Sequence, residues 1–429
     1  MTAPANAGAS SGRGGLALLQ GRSARLATLL IAIAFAVRVI PAAMIYGSDD
    51  VSSWLLVSDV FLRNHNPYET GTLNWPPLWP ALILYSTKAA GVYHLPLVLS
   101  SKLTPILADT CIAPALFLWL VKRGRGSTKA FKDALWAALN PVLSFTVAFH
   151  GQFDSFPALF AMLAVMAATE HQERQSFGFS WPAAVWLGLG GLAKTWPLLL
   201  LPVCLRVHRS LRLRVLFALA AIAPAVLSVA VLYAHAPPII QKYVLSYRSS
   251  PGWYGLTTLL HFVPPGRRDS LVPPFQWLFY SAIIFVLWST WKQSRPRELA
   301  CVLLLTFYVF TPGYGLQYLL WMVPIGLVAE DARTRVYTVV AGVTIGLQYL
   351  FRPWDGGALG QFLLPWFERT PQFAAAYGQE RDMLITCLVE MPLWAFMVYW
   401  WWRALTDLRT GGAASPPNLP VLSGHTAKG

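Results

Sequence analysis

The chain has 429 residues, of which 55% are hydrophobic and 12% charged, and its formal net charge is +14. A soluble domain carries roughly a quarter charged residues, so this composition cannot cover a water-facing surface and predicts an integral membrane protein. The Lys and Arg residues lie mostly in short gaps between apolar runs, which is typical of membrane topology and argues against a nucleic-acid partner.

Apolar stretches of about 17 to 25 residues recur along the chain, and each is long enough to cross a bilayer as a helix. The first runs from Leu26 to Tyr46 after a tail, 1–25, that is expected in the cytoplasm. Arg38 within this run and the lack of a small-residue cleavage site favour an uncleaved anchor over a signal peptide. Later spans are expected at about 95–121, 131–149, 154–170, 214–235, 271–291, 298–311, 316–330, 334–351 and 383–403.

Five clusters of basic residues fix the expected orientation, because cytoplasmic loops carry an excess of Lys and Arg. They lie at Lys122–Lys132, Arg206–Arg214, Lys292–Arg297, Arg333–Arg335 and Arg403–Arg409. Counting Pro77 to Lys88 as a span would move the first cluster outside. The segment 47–94 is therefore expected to be a large external loop, with the stretches 51–63 and 78–92 as interfacial helices.

The same orientation makes the segments 236–270 and 352–382 external loops and the tail 404–429 cytoplasmic. Pro197 forbids a straight helix through 180–206, so two short helices are expected to meet there near the outer surface. The predicted fold is all-α: a polytopic transmembrane helical bundle of about twelve helices over 26–403, with interfacial helices in the first external loop.

The four cysteines occur singly in apolar segments, without the spacing of a disulfide framework or a metal site. They are Cys111, Cys204, Cys301 and Cys387. Buried thiols are the expected interpretation, and we expect neither a metal site nor a cofactor.

Two carboxylates, Asp49 and Asp50, follow the first span directly. Such residues are often a solvated helix end. Here, however, an Asn66-Pro67-Tyr68 turn and a Pro76-Pro77 pair follow in order, which is more typical of a functional loop than of loop filler.

Polar residues also lie at the predicted outer membrane edge, where His150, Gln152 and Asp154 come between two spans and Lys194 comes at the helix break. Polar groups at this depth must bind something polar. Asp154 could equally cap the next span, and Lys194 could extend to the interface or bind a phosphate.

The expected external loop 236–270 contains Tyr247 and Arg248, and Gln317 follows the turn from Thr311 to Gly315. Aromatic faces stack on sugar rings, and Arg binds phosphate oxygens through two N–H groups, so this composition suits a sugar phosphate. Aromatic residues are also common at membrane interfaces, which makes Arg248 the more informative residue.

These motifs together resemble the GT-C glycosyltransferases, in particular the GPI mannosyltransferases and their bacterial relatives. Asp50-Val51-Ser52-Ser53-Trp54 followed by Asn66-Pro67-Tyr68 is similar to their first external loop. Gly151-Gln152-Phe153-Asp154-Ser155 resembles the "GQxDS" turn of bacterial members, and Lys194-Thr195-Trp196-Pro197 with Leu201-Pro202 resembles their helix break.

The resemblance implies an inverting transfer of a hexose, expected to be mannose, from a polyprenyl-phosphate-sugar to a hydroxyl of a lipid or glycan acceptor. The site would lie on the extracytoplasmic side of the cell (inner) membrane, with Asp50 as general base and Asp49 as the adjacent candidate. Lys194 or Arg248 would neutralise the departing phosphate, and no carboxylate cluster for Mg²⁺ is evident. The residues expected to bind the sugar phosphate are His150, Gln152, Asp154, Lys194, Tyr247, Arg248 and Gln317.

Two other classes of function stay open at this point. A lipid-carrier flippase or sugar transporter predicts a continuous polar path through the bundle. A non-catalytic membrane scaffold predicts that the polar groups at Lys194 and 150–154 are paired inside the protein.

Overall fold

The computed structural model of the chain describes residues 10–247, 254–351 and 386–411. Over these residues the backbone is helical throughout its regular elements, apart from one isolated antiparallel bridge between Tyr254 and Tyr314. The all-α prediction is confirmed for this part of the chain.

The α-helices are α1 (Ser10–Met44), α2 (Asp49–Leu62), α3 (Leu78–Tyr93), α4 (Leu97–Lys122), α5 (Ser127–Ala138), α6 (Pro141–Ser144), α7 (Ser155–Glu173), α8 (Trp181–Ala193), α9 (Leu201–Leu205), α10 (Leu211–His235), α11 (Pro237–Ile240), α12 (Pro265–Ser289), α13 (Pro296–Phe310), α14 (Met322–Val328), α15 (Arg333–Phe351) and α16 (Met391–Thr410). Short 3-10 helices lie at Pro67–Thr70, Trp196–Leu200, Gly255–Phe262 and Leu316–Trp321, and π-helical turns at Phe145–Phe149, Gln241–Leu245 and Thr386–Glu390.

Four helices in the described ranges are long and apolar enough to cross a bilayer, namely Gly21–Met44, Leu97–Lys122, Leu211–His235 and Gly266–Ser289. Each coincides with a predicted span. The protein is therefore a helical membrane protein. The count of about twelve helices, the interfacial position of α2 and α3, and the boundaries of loops and tails stay predictions.

Proline residues break the chain at two places in the bundle. Pro197 ends the regular helix as predicted, because α8 stops at Ala193 and Lys194 adopts an extended backbone before the 3-10 turn Trp196–Leu200. The segment 131–149, expected to be a span, is not one continuous helix, because α5 ends at Ala138 and a new helix begins at Pro141. Asn140 caps this second helix by accepting hydrogen bonds from the backbone N–H of residues 142 and 143.

A buried ion pair joins the first helix to the rest of the bundle. Arg38 of α1 pairs with Asp109 of α4, and both side chains are fully buried. The guanidinium also donates to the carbonyls of Ala137 and Ala138, at 3.1 and 2.7 Å, at the C-terminus of α5, where no further helical turn supplies N–H donors. Breaking such a pair leaves an uncompensated buried charge, so these contacts fix α1, α4 and α5 relative to one another.

The predicted basic clusters meet at one end of the bundle. Arg335 contacts Asp133 at 3.0 Å and Arg333 contacts Asp407 at 3.0 Å, while Arg297 contacts Glu330 at 2.7 Å. Cavities of about 250 and 500 Å³ lie among these ion pairs. The assignment of this end to the cytoplasm stays a prediction, and the residues considered next lie at the other end of α4.

Candidate functional site

The N-terminus of α2 holds Asp50 next to a sharp turn that follows α1. Gly47 has φ +117°, and a Cβ at this position would lie 2.9 Å from the carbonyl oxygen of Phe149. Ser48 then caps α2, because its hydroxyl accepts from the N–H of Asp50 at 3.3 Å and donates to the carbonyl of His150 at 2.7 Å. One serine thus joins the start of α2 to the turn 150–154.

That turn begins where the π-helical segment Phe145–Phe149 ends. The N–H of His150 donates to the carbonyl of Phe145 at 2.8 Å, and the N–H of Gln152 donates to that of Thr146 at 3.1 Å. Gly151 between them has φ +76°, and Trp54 of α2 donates to its carbonyl at 2.9 Å. The wide turn therefore directs the side chains of His150 and Gln152 towards α2.

Asp50 is in direct contact with both of these side chains. Its Oδ2 lies 2.6 Å from Nε2 of His150 and accepts a hydrogen bond from Nε2 of Gln152, also at 2.6 Å. Among the described residues, no group hydrogen-bonds to Oδ1. The Asp50 side chain is 31% exposed while that of His150 is 5% exposed. The carboxylate is thus held by one oxygen and has its other oxygen available to a ligand.

The electrostatic surroundings keep Asp50 ionised. Burial would raise the pKa of this carboxyl, but the hydrogen bonds of His150 and Gln152 and the charge of Lys194 together hold the pKa below its usual value. A carboxylate of this kind can accept a proton from a hydroxyl that approaches its free oxygen.

Lys194 pairs with Asp154 beside this carboxylate. Its Nζ lies 3.0 and 3.1 Å from the two oxygens of Asp154, which also accepts from the indole N–H of Trp321 at 2.6 Å. The Asp154 side chain makes no helix-capping hydrogen bond, so the capping interpretation is wrong. The ammonium is surrounded by aromatic rings, with centroids 4.5 to 5.8 Å away at Trp75, Phe153, Tyr318 and Trp321.

The Asn66-Pro67-Tyr68 turn organises the loop that covers this region. Asn66 accepts from the N–H of Tyr68 at 3.1 Å, and the Tyr68 hydroxyl donates to the carbonyl of Trp75 at 2.8 Å. Trp75 then packs edge-on against Phe153, with ring centroids 5.1 Å apart. The turn thereby places an aromatic ring of the first loop on the turn 150–154.

The remaining predicted site residues are Asp49, Gln317, Tyr247 and Arg248. Asp49 is exposed in the first turn of α2. Gln317 is half-buried and directly precedes Tyr318, while Tyr247 is 54% exposed. Neither Gln317 nor Tyr247 hydrogen-bonds to Asp50 among the described residues, and Arg248 lies outside them.

The structure adds one residue that sequence reasoning missed. Tyr349, near the end of α15, hydrogen-bonds through its hydroxyl to Nδ1 of His150. A tyrosine in an apolar run, close to a predicted membrane edge, resembles an ordinary interfacial residue, and its position in the sequence does not distinguish Tyr349 from one. The described residues contain no group of three or more His, Cys, Asp or Glu placed to hold a metal ion.

A comparison with protein families matches residues 93–312 to the model of glycosyltransferase family 87, about half of the chain. The matched range includes His150, Gln152, Asp154 and Lys194 and does not include Asp50 or Tyr349. A comparison with curated proteins found no match. From the family match, together with the apolar helices, we conclude that the chain belongs to glycosyltransferase family 87 and is a membrane glycosyltransferase.

Proposed function

We propose that this protein transfers a hexose from a polyprenyl-phosphate-sugar to a hydroxyl of a lipid or glycan acceptor, with inversion at the anomeric carbon. The proposed hexose is mannose. Asp50 is the general base. The reaction takes place at the extracytoplasmic face of the cell (inner) membrane. The mannose and the polyprenyl donor rest on the resemblance of the motifs to GT-C mannosyltransferases.

One observation carries the proposal: Oδ2 of Asp50 is engaged by His150 and Gln152, each at 2.6 Å, while Oδ1 has no partner among the described residues. In an inverting transfer the acceptor hydroxyl attacks the anomeric carbon from the face opposite the leaving phosphate. The carboxylate takes the hydroxyl proton as the new C–O bond forms and the C–O bond to the phosphate breaks. A base held by one oxygen can do this without losing its orientation.

Lys194 supports the second half of this chemistry, the stabilisation of the departing phosphate. Its ammonium is 6% exposed and balanced by Asp154, so their combined charge is close to zero. Charge that builds on a phosphate oxygen near the free edge of the ammonium would be stabilised strongly at this low-dielectric position. Arg248 is the second candidate for this role, and Tyr247 and Gln317 are candidates for contacts with the sugar.

The direct test is transfer activity in membranes that contain the full chain, with a polyprenyl-phosphate mannose and an extract of lipid acceptors. Asp50→Asn should lower the rate by about 10² to 10⁴, the usual contribution of a general base. Asp49→Asn is the matched control, since it removes the same charge one residue away, and it should retain most activity.

Retained activity in Asp50→Asn, with Asp49→Asn also active, would overturn the mechanism. Parallel assays with a nucleotide-linked mannose and with polyprenyl-phosphate glucose test the donor: activity only with the nucleotide sugar would exclude a lipid-phosphate donor, and glucose transfer at an equal rate would exclude mannose specificity. Vesicles of both orientations, given a membrane-impermeant acceptor, test the predicted side.

A further inference from the structure

Tyr349 is buried against the turn that carries His150. It is 2% exposed, and its ring centroid lies 4.2 Å from that of Phe149 and 5.8 Å from that of His150. Its hydroxyl hydrogen-bonds to Nδ1 of His150, on the side of the imidazole that faces away from Asp50. The residue lies outside the family match, and none of the motifs described above contains it.

The hydrogen bonds at the two ring nitrogens of His150 indicate where the ring proton lies. A carboxylate only accepts hydrogen bonds, so the contact of 2.6 Å between Nε2 and Oδ2 of Asp50 requires a proton on Nε2. A neutral imidazole carries one ring proton, so Nδ1 must then accept, and a phenol hydroxyl can donate to it. The tyrosine therefore selects the tautomer that the carboxylate needs.

The backbone that carries Tyr349 is fixed by its neighbour in sequence. Gln348 donates through Nε2 to Oε1 of Glu390 at 2.9 Å, and Thr386 donates to the other oxygen of Glu390 at 3.1 Å. Glu390 is fully buried. The Gln348 bond ties the last turn of α15 to the segment that leads into α16, and the Thr386 bond orients Glu390 within that segment.

We propose that Tyr349 is a positioning residue of the transferase: its hydroxyl sets the tautomer of His150, which keeps an N–H directed at Asp50. This inference rests on the proposed role of Asp50. Without the hydroxyl, Nδ1 loses the donor from Tyr349, so the tautomer with its proton on Nδ1 and a lone pair on Nε2 becomes more populated. The hydrogen bond from Gln152 stays in place, but the bond from His150 is lost and the carboxylate is held less firmly.

The test compares Tyr349→Phe with Tyr337→Phe in the full chain. Tyr337 is a matched control because it is a buried tyrosine of the same helix whose hydroxyl donates only to a backbone carbonyl, that of Leu319, at 2.6 Å. In Tyr349→Phe, kcat should fall about 10-fold, the effect of one hydrogen bond near a charged group, while KM changes little. Tyr337→Phe should leave kcat unchanged.

A kcat of Tyr349→Phe equal to that of the unchanged protein would overturn the inference. If Asp50→Asn is inactive in the same assay, the proposed function survives that result; if Asp50→Asn is active, the proposed function itself fails. Nitrogen-15 spectra of the histidine rings, with His150→Gln to assign the signal, give a readout independent of activity. The unchanged protein should show a protonated Nε2, and the same tautomer in Tyr349→Phe would contradict the proposal.

Discussion

Replacing Gly151 by alanine would place a methyl group where the turn 150–154 has no room for it. The new Cβ would lie 2.3 Å from Cγ2 of Val51 and 3.7 Å from Cβ of the same residue. Carbon atoms in contact are normally about 3.5 to 4.0 Å apart, so α2 or the turn must move by about 1 Å. The backbone is also unfavourable for alanine, because φ is +76°.

The cost of this change has two parts. A left-handed conformation costs a non-glycine residue about 1–2 kcal/mol, and overpacking of a buried position costs about 1–3 kcal/mol. Gly151→Ala should therefore destabilise the protein by about 2–5 kcal/mol. Because Trp54 donates to the Gly151 carbonyl and Ser48 to that of His150, any shift of the turn also separates His150 from Asp50. Transfer activity should fall with stability.

A second substitution separates the two costs. Val51→Ala removes the Cγ2 atom. In the Gly151→Ala background it should therefore recover the stability lost to overpacking, while the cost of the left-handed backbone stays. The two changes should therefore couple by about 1–3 kcal/mol in a double-mutant cycle. The assay is the thermal loss of monodisperse protein in detergent, measured beside membrane activity.

The matched control is Gly346→Ala in α15, where an added Cβ meets no atom within 4 Å and the helix favours alanine. It should leave stability unchanged or slightly raised. The reasoning is refuted if Gly151→Ala behaves like Gly346→Ala, or if Val51→Ala and Gly151→Ala add without coupling.

Two further substitutions test the electrostatics of the site. Gln152→Met removes one of the hydrogen bonds that hold the pKa of Asp50 low. Because the ionised base is the active form, the unchanged protein should lose activity only below the usual pKa of a carboxyl, about 3.9. The variant should lose activity at a higher pH, and a profile of kcat/KM against pH would record the difference. If the acidic limb of the kcat/KM profile does not move, Gln152 does not influence the pKa of the base. Lys194→Met leaves Asp154 charged and fully buried without its ammonium, which should cost about 3–5 kcal/mol of stability. Adding Asp154→Leu should recover most of that stability in thermal assays but no activity, and a single variant as stable as the unchanged protein would contradict the ion-pair argument.

The positions of the long helices followed from the sequence because run length and proline placement are local properties. The predicted spans 95–121 and 214–235 differ from α4 and α10 by a few residues at most. Pro197 predicted a break correctly, whereas the Asn140-Pro141 pair was overlooked although it carries the same local signal. Apolar composition on both sides of that pair concealed the break.

The sequence singled out the polar side chains that meet here, namely Asp50, His150, Gln152, Asp154 and Lys194, but it did not predict their contacts. Charge asymmetry between loops placed Asp50 and His150 on one side, but their contact spans 100 positions and depends on how α2 packs on the bundle. Asp154 had two equally good local interpretations, and only the packing of α7 against α8 brings Lys194 to it. Tyr349 gave no local signal, since its role lies entirely in a contact 199 positions away.

The wide separation of these contacts has a consequence for biosynthesis. Asp50 enters the membrane environment early in translation, but its partners His150 and Gln152 follow about a hundred residues later, and Tyr349 follows two hundred residues after those. At a synthesis rate of about 5–20 residues per second, the carboxylate would wait tens of seconds for its full set of neighbours. Nascent chains that terminate before α15 contain Asp50 without Tyr349, so the proposed role of Tyr349 predicts that they transfer sugar more slowly.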